Sequence, residues 1–382
     1  MALSPPAPGA PPPGRQLPRP LRGAVVGYGF IAAEGHVPAY LERAQRLGDV
    51  DVVAVADVCA PRLEAARAAL PRARLYKTAQ ALLAAEAHSL DFLDIATPPC
   101  DHAAIAHQAL GAWLHVLCEK PLTTTVAEAR SLLEHARAAN RVLFPCHNYK
   151  HAPVVKAIRD IIASGQIGRI RSVTLSTFRT THAKGVPEWK TDWRRERRYS
   201  GGGIAMDHGS HSFYLAFEWM GAHPTAVTAK LSNLEPARWD TEDTISLALT
   251  FPTGLAQAYL SWTAGVRKVL YTLHAERGAV TVDDDNLELS VTKPPDSGAP
   301  GTGGFHTERM RVSSHWMDAS HVSWFNSLFE QFRAALDQGT WVGREAEDAF
   351  MCVQLINAAY SSASSGSREV ALSAADMGGD AR

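Results

Sequence analysis

Lysine, aspartate and histidine occur in this chain where they could exchange a proton with a hydroxyl group. Lys120 follows an apolar run, Trp113 to Cys118, that is typical of a buried strand. Such a lysine lies at the carboxyl edge of a sheet, where ligands bind in open α/β folds, and it can donate a proton to a reacting oxygen. On its own, Lys120 is equally consistent with a solvated residue at a strand end.

Asp207 and His211 follow three glycines, Gly201 to Gly203, that indicate the start of a helix. At positions i and i+4, both side chains emerge on one face of that helix. A histidine titrates near neutral pH and can pass a proton to or from a hydroxyl, while the acid orients it or the substrate. The alternative is an aspartate that caps a helix carrying a core histidine. His208 and His211 also suggest a metal, but no further ligand cluster supports one, so no metal is expected.

A glycine turn precedes both motifs. Gly27-Tyr28-Gly29-Phe30-Ile31-Ala32 fits the pattern G-x-G-x-x-G/A between a predicted strand and a predicted helix. The first glycine permits a tight turn, and the second lets a pyrophosphate approach backbone N–H groups at the helix N-terminus. We therefore predict a dinucleotide site, with a purely structural turn as the alternative.

An acid, Asp57, ends the second predicted strand, 30 residues after Gly27, although about 20 is usual. Its carboxylate would accept hydrogen bonds from the adenine ribose and repel a 2′-phosphate, which favours NAD as the cofactor. Arg62, one helical turn further on, could relax this preference, so NADP stays open.

These motifs occur in an order that resembles the glucose-fructose oxidoreductase/inositol dehydrogenase/MocA (Gfo/Idh/MocA) family. The resemblance covers residues 22 to 370 and is carried by GYGFIA, by Ala96-Thr97-Pro98-Pro99 with His102, by His115 to Pro121, and by the glycines before Asp207 and His211.

The resemblance implies hydride transfer between nicotinamide C4 and a hydroxyl-bearing carbon of a sugar, cyclitol or polyol. It implies that Lys120 bonds the reacting hydroxyl, Asp207 holds the substrate or the histidine, and His211 is the acid/base. It also implies a set of cofactor-binding residues near the nicotinamide and its ribose: Thr97, Pro98, His102, Glu119, Lys120 and Asn148.

Two other functions stay open. A redox-neutral epimerase or glycosidase that uses NAD for transient oxidation would have the same motifs. A non-catalytic NAD-binding regulator would be expected to lack one or more of Lys120, Asp207 and His211, and all three are present.

The loop from His182 to Arg195 interleaves aromatic and charged residues. Because aromatic rings stack on sugars and charged groups bond hydroxyls, Trp189, Lys190 and Trp193 are predicted to line the substrate pocket. Arginines of this loop could instead hold a phosphate or carboxylate. A subunit contact or a solvated charged loop is the other alternative.

The order of predicted elements gives the fold class. Strands alternate with helices from residue 22 to 147, which predicts a Rossmann domain with a doubly wound parallel sheet. From 148 to 382, strands follow one another and predict a substrate-binding and oligomerisation domain with a large, open, mainly antiparallel sheet. Residues 1–21 are proline-rich and predicted to be a disordered tail, and 293–304 are predicted to be a surface loop.

Composition narrows the function classes. A net charge of −1 over 382 residues gives no electrostatic reason to expect nucleic acid or a membrane as partner. Five scattered cysteines without CxxC spacing predict buried free thiols, in preference to disulfides or a zinc site. No apolar run could span a membrane. We expect a cytoplasmic protein with a small-molecule substrate. The resemblance implies a homodimer or homotetramer through the second sheet.

Overall fold

The computed structural model describes residues 19–293, 304–313 and 320–373. Most of the predicted tail and all but the two end residues of the predicted loop 293–304 lie outside the described residues. Leu21, the last residue of the predicted tail, already belongs to the first strand.

Six parallel strands form the first sheet, in the order β3-β2-β1-β4-β5-β6. They are β1 (Leu21–Val26), β2 (Val50–Ala56), β3 (Arg74–Tyr76), β4 (Phe92–Ile95), β5 (His115–Cys118) and β6 (Leu143–Pro145). The strand order changes direction between β1 and β4, and ligands bind beyond the carboxyl ends of the strands at such a point. The predicted doubly wound sheet is confirmed.

The helices that alternate with these strands are α1 (Val37–Arg46), α2 (Ala60–Ala69), α3 (Ala79–Glu86), α4 (Pro99–Gly111) and α5 (Val126–Ala139). Local sequence explains the bounds of α5, because Thr125 and Glu128 form a capping box and Asn140 ends the helix in the left-handed conformation.

Nine strands form the second sheet, in the order β14-β13-β12-β11-β7-β10-β9-β8-β15. They are β7 (Ile170–Phe178), β8 (Ala226–Ser232), β9 (Thr244–Phe251), β10 (Gly254–Ser261), β11 (Lys268–Ala275), β12 (Gly278–Asp283), β13 (Asn286–Thr292), β14 (Phe305–Arg311) and β15 (Val370–Ala371). Only the pair β7–β10 is parallel among the pairs of these described strands. The predicted open, mainly antiparallel sheet is confirmed.

The remaining helices are α6 (Pro153–Ala163), α7 (Arg197–Ser200), α8 (Ser210–Met220), α9 (Val322–Gln338) and α10 (Arg344–Ser364). The last two connect the two sheets. Phe329 and Phe332 of α9 pack against Phe92 of the first sheet. In α10, Phe350 packs into the core of the first sheet and Leu355 into that of the second. The division at residue 147 stays a prediction, and the chain after it contributes to both cores.

No helix of the described ranges is long and apolar enough to cross a membrane. All five cysteines are free thiols. Cys118, Cys146 and Cys352 are buried, as predicted, whereas Cys59 and Cys100 are partly exposed.

Candidate active site

A cavity of about 670 Å³ opens at the carboxyl edge of the first sheet and is lined by residues of both halves of the chain. This volume lies within the range of about 300 to 1,000 Å³ that is typical of small-molecule sites. The first half contributes the glycine turn and the ends of β2, β4 and β5. The second contributes the segment 200–211 and the loop after β7.

The two glycines of the turn have different roles. Gly27 has φ +90°, and a Cβ there would lie 2.7 Å from the Ala96 carbonyl oxygen, so this position requires glycine. A Cβ at Gly29 would meet nothing within 4 Å, and Gly29 lines the cavity together with Phe30 and Ile31. The open space beside Gly29 fits a group that approaches the backbone closely, as a pyrophosphate does.

Asp57 is fixed by backbone N–H groups. Tyr28 N–H donates to its Oδ2 at 2.6 Å, and Cys59 N–H donates to Oδ1 at 2.7 Å. Since a carboxylate oxygen can accept more than one hydrogen bond, Asp57 can still accept ribose hydroxyls from the cavity it lines. The Tyr28 side chain itself is buried and does not line the cavity.

Arg62 also lines the cavity, but its guanidinium already has partners. Its Nε donates to the Tyr28 carbonyl at 2.8 Å, and its Nη1 lies 3.4 Å from Glu188 Oε1. A 2′-phosphate would have to compete with Glu188 for Arg62, so this pairing adds to the preference of Asp57 for NAD.

His102, expected near the nicotinamide, is not part of the cavity wall. Thr97 and Pro98 do line it, but the His102 ring is fully buried behind them. Its Nε2 lies 2.8 Å from the Thr97 carbonyl and its Nδ1 lies 2.9 Å from the Pro121 carbonyl. Burial lowers the pKa of His102, and a neutral ring donates to only one of these carbonyls at a time. His102 therefore packs between the two strand-end segments and supports them for a ligand that it does not touch.

Lys120 and Asp207 meet across the cavity. Lys120 Nζ donates to the Asp207 carbonyl at 2.8 Å and to its Oδ1 at 3.0 Å, and Arg194 Nε lies 3.4 Å from the same Oδ1. Burial opposes ionisation of Asp207, but the charges of Lys120 and Arg194 outweigh it and hold the pKa of this carboxyl well below its usual range. Asp207 is therefore a carboxylate at neutral pH.

The second oxygen of Asp207, Oδ2, is buried and has no hydrogen-bond partner among the described residues. His208 Nδ1 is 3.3 Å away, but this nitrogen accepts the indole N–H of Trp262 and so cannot donate to the carboxylate. Burial lowers the pKa of His208 to about 4, which keeps its ring neutral. Asp207 Oδ2 is thus an acceptor available to a ligand hydroxyl.

His211 is held by two tyrosines. The Tyr149 ring stacks on it with centroids 3.8 Å apart, and its Nδ1 lies 2.7 Å from the Tyr214 hydroxyl, which also accepts the Tyr149 N–H at 3.1 Å. Burial and the charge of Lys120 lower the pKa of His211 well below its usual value, so the ring is neutral near pH 7. Sequence reasoning missed Tyr214, although it lies one helical turn after His211.

The segment that carries Asp207 and His211 is only partly α-helical. Residues Ala205–Gly209 form a π-helical turn, and the α-helix begins at Ser210. The prediction of one α-helical face is wrong in this detail, since a π-turn needs more residues per turn. Both side chains nevertheless line the same cavity.

Glu242 anchors the start of this segment. Its buried carboxylate accepts the Gly203 N–H and the Ala205 N–H at 3.0 Å and the Tyr360 hydroxyl at 2.9 Å. A Cβ at Gly203 would lie 1.8 Å from the Glu242 carbonyl oxygen, which explains the glycine. No pattern in the sequence linked Glu242, nearly forty residues away, to this turn.

A buried ionic cluster lies behind Glu119, which lines the cavity. His36 Nε2 lies 3.0 Å from Glu119 Oε1, His36 Nδ1 lies 2.8 Å from Asp94 Oδ2, and Tyr40 donates to that same oxygen at 2.8 Å. Burial would lower the pKa of His36, but the two carboxylates outweigh it and raise it to about 10. His36 is therefore an imidazolium that fixes Glu119.

His36, Asp94 and Cys146 are close enough to suggest a metal site. Both ring nitrogens of His36 contact carboxylates, those of Asp94 and Glu119, so this cluster is described as ionic.

Only some residues of the loop from His182 to Arg195 line the cavity. Trp189, Trp193 and Arg194 line the cavity. Lys190 does not: its Nζ lies over the Tyr199 ring, 5.2 Å from the centroid. Its expected place in the substrate pocket is therefore corrected. Asn148, expected near the nicotinamide, lines the cavity.

Two family models match the chain. Residues 21–147 match the oxidoreductase family with an NAD-binding Rossmann fold, GFO_IDH_MocA, and residues 155–281 match the GFO/IDH/MocA C-terminal domain. The chain belongs to the Gfo/Idh/MocA oxidoreductase family. Residues 21–147 of this Gfo/Idh/MocA protein are accordingly an NAD-binding domain, and the resemblance inferred from its motifs is confirmed.

Several curated relatives are sugar-converting enzymes. D-apiose dehydrogenase of Paraburkholderia graminis is 33% identical over 147 residues, which are 38% of this chain and 37% of that protein. D-glucoside 3-dehydrogenase of Escherichia coli is 27% identical over 249 residues, 62% of this chain and 68% of that protein. The chain spans 37% and 50% of the first two relatives, the second being 1,5-anhydro-D-fructose reductase of Ensifer adhaerens.

Solved structures extend the likeness over nearly the whole fold. Levoglucosan dehydrogenase in complex with NADH has 22% identity and a TM-score of 0.76, covering 92% of this chain and 99% of that one. GenD2 from gentamicin A biosynthesis in complex with NAD has 27% identity and a TM-score of 0.75, covering 96% and 100%.

Proposed function

We propose that the protein is an NAD-dependent dehydrogenase that transfers a hydride between the nicotinamide and a hydroxyl-bearing carbon of a sugar, cyclitol or polyol derivative. One observation carries the proposal. Lys120 Nζ, the unpaired Oδ2 of Asp207 and the neutral ring of His211 belong to the cavity that also contains the glycine turn. Named relatives that oxidise sugars support it.

The chain's own residues account for cofactor binding. The backbone at Gly29 would hold the pyrophosphate, Asp57 the adenine ribose, and Thr97, Pro98, Glu119 and Asn148 would surround the nicotinamide end. Bound NAD supplies the hydride acceptor at nicotinamide C4. His36 keeps Glu119 ionised, because its charge holds the pKa of the Glu119 carboxyl below the usual value against the effect of burial.

Three side chains would handle the reacting alcohol. Lys120 donates a hydrogen bond to its oxygen, and Asp207 Oδ2 accepts one from a neighbouring hydroxyl. His211 takes the proton at Nε2 when Nδ1–H donates to the Tyr214 hydroxyl, which has two lone pairs and can accept from both His211 and Tyr149. Since a neutral ring accepts a proton, the site is set for oxidation of the alcohol near pH 7.

The proposal is tested by incubating the purified protein with NAD and a panel of sugars, cyclitols and their acid or amino derivatives. NADH absorbance is followed, and retained cofactor and products are identified by mass spectrometry. Net NADH formation with any one compound supports the proposal. Conversion of a compound with NAD retained and no NADH formed would establish the redox-neutral alternative, an epimerase or glycosidase. Binding of NAD without conversion of any compound would favour the regulator.

The assembly and location are part of the same proposal. A homodimer or homotetramer would form through the open face of the second sheet, where Leu255, Tyr259 and Leu270 are exposed. Five unpaired cysteines support a cytoplasmic location, where thiols stay reduced.

A further inference from the structure

The end of the cavity at the second sheet carries two arginines, Arg179 and Arg267, that the proposed hydride transfer does not use. Arg179 directly follows β7, and Arg267 directly precedes β11. These strands pair antiparallel with Phe178 opposite Lys268, so the two arginines are the next residues in register. Two positive side chains are thus placed side by side at the ends of two paired inner strands.

Arg179 is only partly satisfied by the protein. The side chain is 9% exposed, and its Nη1 donates to the Phe178 carbonyl at 2.8 Å. Its Nη2 is buried and has no hydrogen-bond partner among the described residues. A buried charged donor without an acceptor is costly, and an acceptor brought by a ligand into the cavity would satisfy it.

The carboxylates that line the cavity do not compensate Arg179. Asp207 is engaged by Lys120 and Arg194, Glu119 is engaged by His36, and the other two, Asp57 and Asp101, lie on the first half of the chain. Burial and then the charge of Arg179 lower the pKa of Arg267, while Tyr149 and Asp284 oppose this effect. The register of β7 and β11 places these two like charges next to each other.

We propose that Arg179 and Arg267 bind a carboxylate or phosphate group of the substrate, so that the substrate is a sugar acid or a sugar phosphate. Guanidinium groups match the oxygens of both anions. Tyr149, which stacks on His211, lines the same cavity as Arg267. The inference rests on the proposed function, because it assigns the anion to the molecule that Lys120 and His211 would oxidise.

The test compares matched neutral and anionic probes: D-glucose with D-glucuronate and D-glucose 6-phosphate, and sorbitol with gluconate. For each, kcat/KM with NAD is measured, and binding to the NADH-loaded protein is measured by calorimetry. The wild type is expected to prefer an anionic member, and the preferred anion decides between carboxylate and phosphate. Arg179→Gln and Arg267→Gln should each reduce the anionic-to-neutral ratio by about tenfold to a hundredfold.

Two further variants separate charge recognition from folding. Arg179→Lys keeps the charge and is expected to keep most of the preference. Arg171→Gln, on the same strand but paired with Glu276 at its other end, is expected to leave the ratio unchanged.

If the wild type has a kcat/KM for the neutral probes that equals or exceeds that for the anionic probes, the inference is overturned and the proposed function is left intact. Equal losses for neutral and anionic probes in Arg179→Gln would also overturn it. Anions that bind through Arg179 but never reduce NAD would support the anion site and contradict the proposed function.

Discussion

His36 shows how a single residue can prepare a site that it does not enter. It has no contact with the cavity, yet it holds Glu119 on one side and Asp94 on the other. Removing one partner of such a buried pair leaves an uncompensated charge, which is more costly than losing an exposed ion pair. The stability of the fold and the orientation of Glu119 therefore depend on the same imidazolium.

We expect His36→Gln to lower the free energy of unfolding by about 3–5 kcal/mol. The pKa of His36 is raised to about 10 in the folded protein, from about 6.5 in the unfolded chain. Its contribution is fully present below about pH 6.5 and is lost as the pH rises through about 10. Urea unfolding across this range should show the loss in the wild type and not in His36→Gln. His88→Gln, a substitution of an exposed histidine after α3, is the control. The same pH slope in wild type and His36→Gln would contradict the assignment.

The neutral state of His211 gives a prediction for activity. Because burial and Lys120 lower the pKa of His211, the acidic limb of kcat/KM for alcohol oxidation should lie below pH ~6.5, the ordinary value for histidine. At still lower pH the ring is protonated and cannot accept the proton. A pH–rate profile checks this, and a limb at or above the ordinary histidine value that disappears in His211→Asn would show that the ring is not held neutral.

At the scale of elements, the motif-bearing segments were predictable where the signal was local. The glycine turn, β5 with Lys120, and Asp207 with His211 follow from short patterns. Elements without a local signal were missed: β3 has only three residues, and all of β14 is exposed and shows no alternation. Partners distant in the chain, such as Glu242 under Gly203 or Tyr149 on His211, depend on tertiary packing that one sequence does not reveal.

The loop after β7 gives a prediction with a neighbouring control. Trp189 lines the cavity and Lys190 does not, because Lys190 turns toward Tyr199. We expect Trp189→Ala to raise KM for the sugar substrate by about tenfold, the loss of one aromatic contact, with a smaller effect on kcat. Lys190→Ala should leave both constants close to wild type. Steady-state kinetics of the two variants test this prediction. Unchanged kcat and KM in Trp189→Ala would exclude this loop from substrate binding.

At the scale of the whole molecule, two sheets meet at one cavity and are tied together by α9 and α10. The second sheet is covered on one face by helices, while its other face exposes Tyr259 and Leu270 on either side of Ser176. An apolar stripe of this kind indicates an interaction surface. A second copy of the chain would bury it.

We expect the protein to be a dimer or tetramer in solution. The double variant Tyr259→Lys, Leu270→Lys should raise the dissociation constant by about a hundredfold or more, since it brings like charges together across the interface. Sedimentation equilibrium measures this. Leu47→Lys, an exposed leucine after α1, is the control. A wild type that sediments as a monomer would contradict assembly through this face. So would a double variant that sediments with the same mass as a wild-type oligomer.

The central claim is that Lys120, held against Asp207, binds the hydroxyl oxygen of the substrate. The carbon that carries this hydroxyl is the one that gives up the hydride. Its most direct test is the NAD-linked turnover of Lys120→Met beside Lys156→Met, a control on α6 that contacts Ser327 outside the cavity. The account predicts that kcat/KM falls by about 10²- to 10⁴-fold in Lys120→Met, with NAD affinity retained, and that Lys156→Met resembles the wild type. Near-normal turnover in Lys120→Met would contradict it.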